Sequence, residues 1–175
     1  MESLIRFSIA LSLVLASIIP VQEDGVLWSP DKKLVWSDFK GQPQSNSRIA
    51  AVTASGLSYK FSSMERDGYY EVEYTVSTFF YPEQSWYQAH MCDEVVLGHE
   101  QLHFDISELF ARKMRRIMDG TRFTKNVKSE VNAIYKNTIE ELTAFQDRYD
   151  QETNFSMNKE AQLIWNKAIK EALKN

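Results

Sequence analysis

His99, Glu100 and His103 stand as His-Glu-x-x-His in a stretch whose apolar residues recur at threes and fours. On a helix the two imidazoles lie about 40° apart on one face, one turn apart, which is how two nitrogen ligands grip a single zinc ion. Glu100 falls about 100° from His99, close enough to address a metal-activated water without being a ligand. That pattern points to hydrolysis: zinc lowers the pKa of a water and polarises a peptide carbonyl, while the glutamate takes the proton and returns it to the leaving amine. With His99 at zero on the wheel, His103 falls at about 40°, Ile106 at about 340°, Phe110 at about 20° and Leu102 at about 300°, so the histidines point inward. The blander reading makes both of them hydrogen-bonded core residues. Against it stands Glu100, because a carboxylate beside inward imidazoles is costly unless a cation or a water-filled cleft receives it.

A catalytic zinc site needs a third protein ligand. Glu108 is near in sequence but lies opposite His99 on the same helix, and it pairs more naturally with Arg112 four residues on. Glu141 shares a stripe with Ile134, Thr138 and Phe145 on the following helix, which makes it a candidate ligand, whereas Glu140 turns towards solvent. Glu152 and Asp150, expected in the loop after that helix, are further candidates, and His90 could approach from the loop before the metal helix. Cys92, the single cysteine, reads as a small buried hydrophobe; the alternative is a thiolate with His90 or His99 as partner. No intramolecular disulfide can form.

The elements that must position these residues follow from periodicity. Leu34 to Gly41 reads as a short apolar strand, and Gln42 to Arg48 as loop. Ile49, Ala51, Thr53, Ser55, Leu57, Tyr59 and Phe61 form one strand face. After a turn at Asp67-Gly68, a second face follows with Tyr70, Val72, Tyr74, Val76, Thr78 and Phe80, predicting an antiparallel hairpin ended by Pro82. The first helix runs from an Asp93 N-cap to Gly120, with Lys113, Arg115 and Arg116 suiting a solvated helix end. A second helix is expected from about Asn126 to Arg148 and a third from about Asn158 to Leu173.

The chain has 175 residues, 43% hydrophobic and 25% charged, which suits one globular domain. Its net charge of -4 and its lack of a basic run argue against nucleic acid as a partner. The apolar run Phe7 to Ile19 has signal-peptide length and falls short of a membrane span, so residues 1–22 are expected to be an export signal and 23–175 the domain.

Leu34-Val35-Trp36-Ser37-Asp38-Phe39-Lys40-Gly41, the pair Ser85-Trp86, the run His99 to Ile106 with Glu108, Ala111 and Arg112 behind it, and Tyr149-Asp150-Gln151-Glu152-Thr153 cover most of the domain in order. On these segments the chain resembles an uncharacterised bacterial family described as secreted zinc-dependent proteases. The resemblance implies a zincin-like metal helix, with His99 and His103 as metal ligands and Glu100 as catalytic base. Where the family pattern continues through threonine to a histidine, this chain has Phe155, flanked by Asn154 and Ser156. If that histidine is the family's third ligand, a carboxylate such as Glu152 or Glu141 replaces it, or the site binds metal weakly and hydrolysis has been given up.

The expectation is therefore an α+β domain, a small antiparallel sheet packed against three helices. Its expected function is that of a secreted or periplasmic zinc metallopeptidase acting on a peptide or protein substrate, with no membrane span left after signal cleavage. The rival is a non-catalytic exported binding module on the same frame.

Overall fold

The computed structural model describes residues 25–43 and 49–174, so the export signal expected over 1–22 lies outside the described residues. Five strands and three long helices follow in the order β1 (Val26–Leu27), β2 (Ala51–Val52), β3 (Ser55–Arg66), β4 (Tyr69–Phe80), β5 (Trp86–Tyr87), α1 (Glu94–Gly120), α2 (Val127–Thr153) and α3 (Lys159–Ala172). All the strand pairs are antiparallel, giving the expected α+β class: one sheet has the order β1-β4-β3, and β2 pairs with β5 in a second.

The β3–β4 hairpin shows why alternation was legible. Arg66 pairs with Tyr69 across the Asp67-Gly68 turn, whose φ angles of 51° and 79° suit aspartate and glycine. From that register Leu57, Tyr59 and Phe61 share a face with Val72, Tyr74, Val76 and Thr78, and this face packs on the helices. The opposite face carries Ser58, Lys60, Ser62, Glu71, Glu73 and Thr75. Ile49 does not begin the long strand as the alternation suggested. The chain changes partner at Ala54, whose N–H bonds the Ser85 hydroxyl at 2.9 Å, so β2 joins β5 and β3 starts afresh at Ser55.

The Leu34 to Gly41 segment is not a strand. Trp36–Asp38 forms a 3-10 turn, because the Asp38 carboxylate accepts the Val35 N–H at 3.0 Å and holds the chain bent. The bend drives Leu34 and Phe39 into a small cluster with Phe80 and Phe104, and lays Trp36 on Tyr87 with ring centroids 4.6 Å apart. The main core joins the hairpin to all three helices, with Ile106, Met114 and Val131 completely buried. Side chains of this kind contribute about 1.5–3 kcal/mol each on burial.

α1 begins at Asp93, whose carboxylate accepts the N–H groups of Val95 and Val96 at 2.9 and 3.0 Å, and ends with Thr121 as its C-cap. Of the three basic residues near its end Arg116 is exposed, whereas Arg115 donates to the Val76 carbonyl and to Glu108, and Lys113 pairs with Glu141. α2 runs beyond Arg148 to Thr153 and stops where Asn154 enters the left-handed region at φ 48°. No glycine or proline interrupts it, and the buried stripe Val131, Thr138, Leu142, Tyr149, Thr153 keeps helical spacing to the end. Among the described residues, no helix is long and apolar enough to cross a membrane.

Candidate metal centre

The extension of α2 places Tyr149 and Asp150 in helix rather than loop, opposite the first turns of α1. Asp150 Oδ1 lies 3.1 Å from His99 Nε2 and 2.9 Å from His103 Nε2. These three residues are the one group of potential metal ligands among the described residues whose donor atoms converge, all within 4.8 Å of one another. His99 is buried, and His103 and Asp150 are partly open to a cleft of about 710 Å³.

The surroundings of His99 fix its tautomer. Gln162 on α3 donates its amide N–H groups to the Tyr149 hydroxyl at 2.7 Å and to Asn166 Oδ1 at 2.8 Å, so its carbonyl oxygen faces His99 Nδ1 at 2.9 Å. Nδ1 therefore carries a proton, and Nε2 is turned towards Asp150 and the cleft, where it donates to the carboxylate when the imidazole is charged. The Tyr149 ring stacks on His99 at 4.5 Å and 20°, and its hydroxyl donates to the His99 carbonyl at 3.2 Å. Burial would depress the His99 imidazole, but its bonds to Asp150 and Gln162 and the nearby charge of Glu100 outweigh that and raise its pKa. Burial likewise opposes ionisation of Asp150, and hydrogen bonds from His103 and His99 reverse it, holding this carboxyl below the usual carboxylate range.

Glu100 is 4% exposed and lines the same cleft. Among the described residues none hydrogen-bonds its carboxylate; the backbone carbonyl accepts from Thr53 at 3.2 Å. The rest of the cleft is walled by residues 49–53, by Thr143, Gln146 and Asp147 on α2, and by residues 155–157.

The other acidic candidates lie elsewhere. Glu141 is exposed on the margin of the buried stripe, where it reaches Lys113 across the α1–α2 groove. Glu152 accepts from Trp165 Nε1 at 2.8 Å, because two residues along a helix turn a side chain about 200° away from Asp150. Glu108 does pair with Arg112, at 3.1 Å, and also with Arg115 and Thr78. His90 is exposed and lies outside the group. The thiolate reading of Cys92 fails: its thiol donates to the Ala50 carbonyl and burial pushes its pKa up. Phe155 sits at the cleft wall, 63% exposed, and not among the converging donors.

Asp150 was detectable as a ligand candidate through helix spacing. Thr143, Gln146, Asp147 and Asp150 fall at intervals of three, one and three, a single face that an α2 ending at Arg148 cuts short. Gln162 had no such signal.

A family model described as a bacterial protein of unknown function, DUF922, matches residues 37–158. No curated protein and no solved structure matches the chain.

Proposed function

This chain belongs to that bacterial family of unknown function, and for it we propose zinc-dependent hydrolysis of peptide bonds outside the cytoplasm. The observation that carries the reading is the convergence of His99 Nε2, His103 Nε2 and Asp150 Oδ1, with the buried Glu100 facing the same cleft. Two imidazoles and a carboxylate are a donor set of catalytic zinc sites. Metal bonds of about 2.0–2.1 Å in a tetrahedron put ligand atoms about 3.3 Å apart, and the donors here already stand at 2.9 and 3.1 Å across the two histidine–aspartate contacts.

Zinc, when bound, supplies an acidified water and a polarised carbonyl. The chain supplies the rest. Gln162 accepts a proton held on His99 Nδ1, so that a metal replacing the Nε2 proton that bonds Asp150 would meet a neutral imidazole, and Tyr149 stacks on the ring. Asp150 remains ionised at neutral pH. Glu100, whose carboxylate none of the described residues hydrogen-bonds, takes the proton of the attacking water and passes it to the leaving amine. The apolar run Phe7 to Ile19 supports export to a secreted or periplasmic location.

Purified protein is expected to hold one zinc per chain, and Glu100→Gln to keep that zinc while cleavage falls by about 10²–10⁴-fold. Peptide cleavage persisting at the native rate in this variant overturns the mechanism. One observation favours the non-catalytic binding module: Asp150 Oδ1 already lies within hydrogen-bond distance of both imidazoles, an arrangement that closes without an ion. On that reading the purified protein holds no stoichiometric zinc, and His103→Ala alters stability alone.

A further inference from the structure

Asn154, Phe155 and Ser156 follow one another at φ 48°, 50° and 73°. Asparagine tolerates the left-handed region; phenylalanine does so only at a cost. The bend is nevertheless pinned, with the Phe155 N–H on the Asp150 carbonyl at 2.9 Å, the Asn158 N–H on the Thr153 carbonyl at 2.8 Å, and Ser156 buried. A residue forced into a strained conformation is ordinarily compensated by burial, yet the Phe155 ring gains none, being 63% exposed beside Met157 at 69%. Both line the cleft, as do the exposed Ile49 and Met91. The charged groups of the lining are Glu100, Asp147 and Asp150 with the two histidines, and no lysine or arginine is among the described lining residues.

We propose that the bend 154–156 presents Phe155 as an apolar platform at the cleft mouth, and that the peptide received there carries a bulky apolar side chain beside the bond to be cut. The inference rests on the peptide-hydrolysis reading and adds the class of substrate. Against the two charges of a zinc ion, the carboxylates of Glu100, Asp147 and Asp150 still leave the described lining negative, so the favoured occupant is an apolar, neutral or cationic segment of extended chain. They equally disfavour an anionic lipid surface. A platform of this kind is a binding element whose strain is retained because the ring serves a ligand.

The test separates binding from turnover. Calorimetry on Glu100→Gln protein, with and without added zinc, compares two short peptides that differ only in a central phenylalanine or glutamate. The phenylalanine peptide is expected to bind at least tenfold more tightly. Phe155→Asn suits the left-handed backbone and removes the ring; it is expected to lower that affinity about tenfold, with an unchanged or higher Tm and unchanged zinc content. Phe155→Tyr should restore binding. Equal affinity for both peptides, or no loss in Phe155→Asn, overturns the proposal. So does a falling Tm in Phe155→Asn, which assigns the ring a structural role, and so does a dimer in sedimentation that this variant dissociates, which covers the face with a second copy. Failure of the native protein to bind zinc or cut any peptide defeats the hydrolytic reading instead, and leaves the peptide preference measurable on its own.

Discussion

On the rear of α1, Glu108 meets Thr78 at 2.8 Å, Arg112 at 3.1 Å and Arg115 at 3.0 Å; on the front, the equally buried Glu100 meets the cleft. The rear face carries a second buried carboxylate, Asp105, which accepts from Trp28 Nε1 and from Gln101 Nε2, both at 2.9 Å, while Gln101 Oε1 accepts the Leu34 N–H at 2.8 Å. Every acid on that side has its partners, and together they fasten the N-terminal segment and β4 to the helix. On the cleft side none of the described residues hydrogen-bonds the Glu100 carboxylate, and Gln162 orients His99 so that its Nε2 meets Asp150 beside His103 Nε2. A carboxylate satisfied by protein holds structure, and one left facing a cleft is available for chemistry. The residues inside the His-Glu-x-x-His motif and just after it thus do two separate jobs on opposite faces.

Four substitutions and one titration probe that division. Asp150→Ala, on the front, is expected to abolish stoichiometric zinc and all peptide cleavage, as read by metal analysis and turnover. Glu108→Gln, on the rear, should cost about 2–3 kcal/mol of stability in urea melts, since it strips two arginines of their counter-charge while their partial exposure limits the loss. Its zinc affinity should match that of the native protein; a parallel loss would break the separation between the faces. Gln162→Leu removes the acceptor from His99 Nδ1 and should weaken zinc binding about 10–100-fold, measured by chelator competition. Asp93→Ala removes the N-cap ahead of both faces and should cost about 1 kcal/mol.

The titration sharpens the electrostatic contrast. In metal-free protein, the raised pKa of His99 contributes stability that is full below its ordinary value of 6.5 and lost as pH rises through the folded value. The depressed pKa of Asp150 contributes stability present above its ordinary value of 3.8 and lost as pH falls through the folded one. The site's own contribution is therefore greatest between about pH 4 and 6.5. Zinc requires His99 to shed its proton, so Tm in saturating zinc should rise with pH across the range where that of the metal-free protein falls. Parallel Tm slopes in both states would count against His99 as a ligand.

The hairpin was legible because one of its faces is buried and the other solvated, so alternation alone fixes its register. His99, Glu100 and His103 were legible because a single helix sets their mutual geometry. What sequence left open depends on contact between elements. Whether Glu141, Glu152 or Asp150 meets the histidines is decided by the length of α2 and by its rotation against α1, and the local clues were the absence of a stop signal before Asn154 and the helical spacing that Asp150 shares with Thr143, Gln146 and Asp147. The bend at Trp36–Asp38 overrode an apolar pattern because a single side-chain hydrogen bond competed with strand geometry.

Gln162 lies on the last helix, whereas His99 lies near the middle of the chain, and Arg112 Nη1 donates to the Leu173 carbonyl at 2.6 Å to tie that helix down. During vectorial synthesis, the orientation of His99 is therefore settled only after α3 has emerged and docked. On the proposed zinc reading the order of emergence would act as a timer, since α1 is complete before the α3 contact that orients His99 can form.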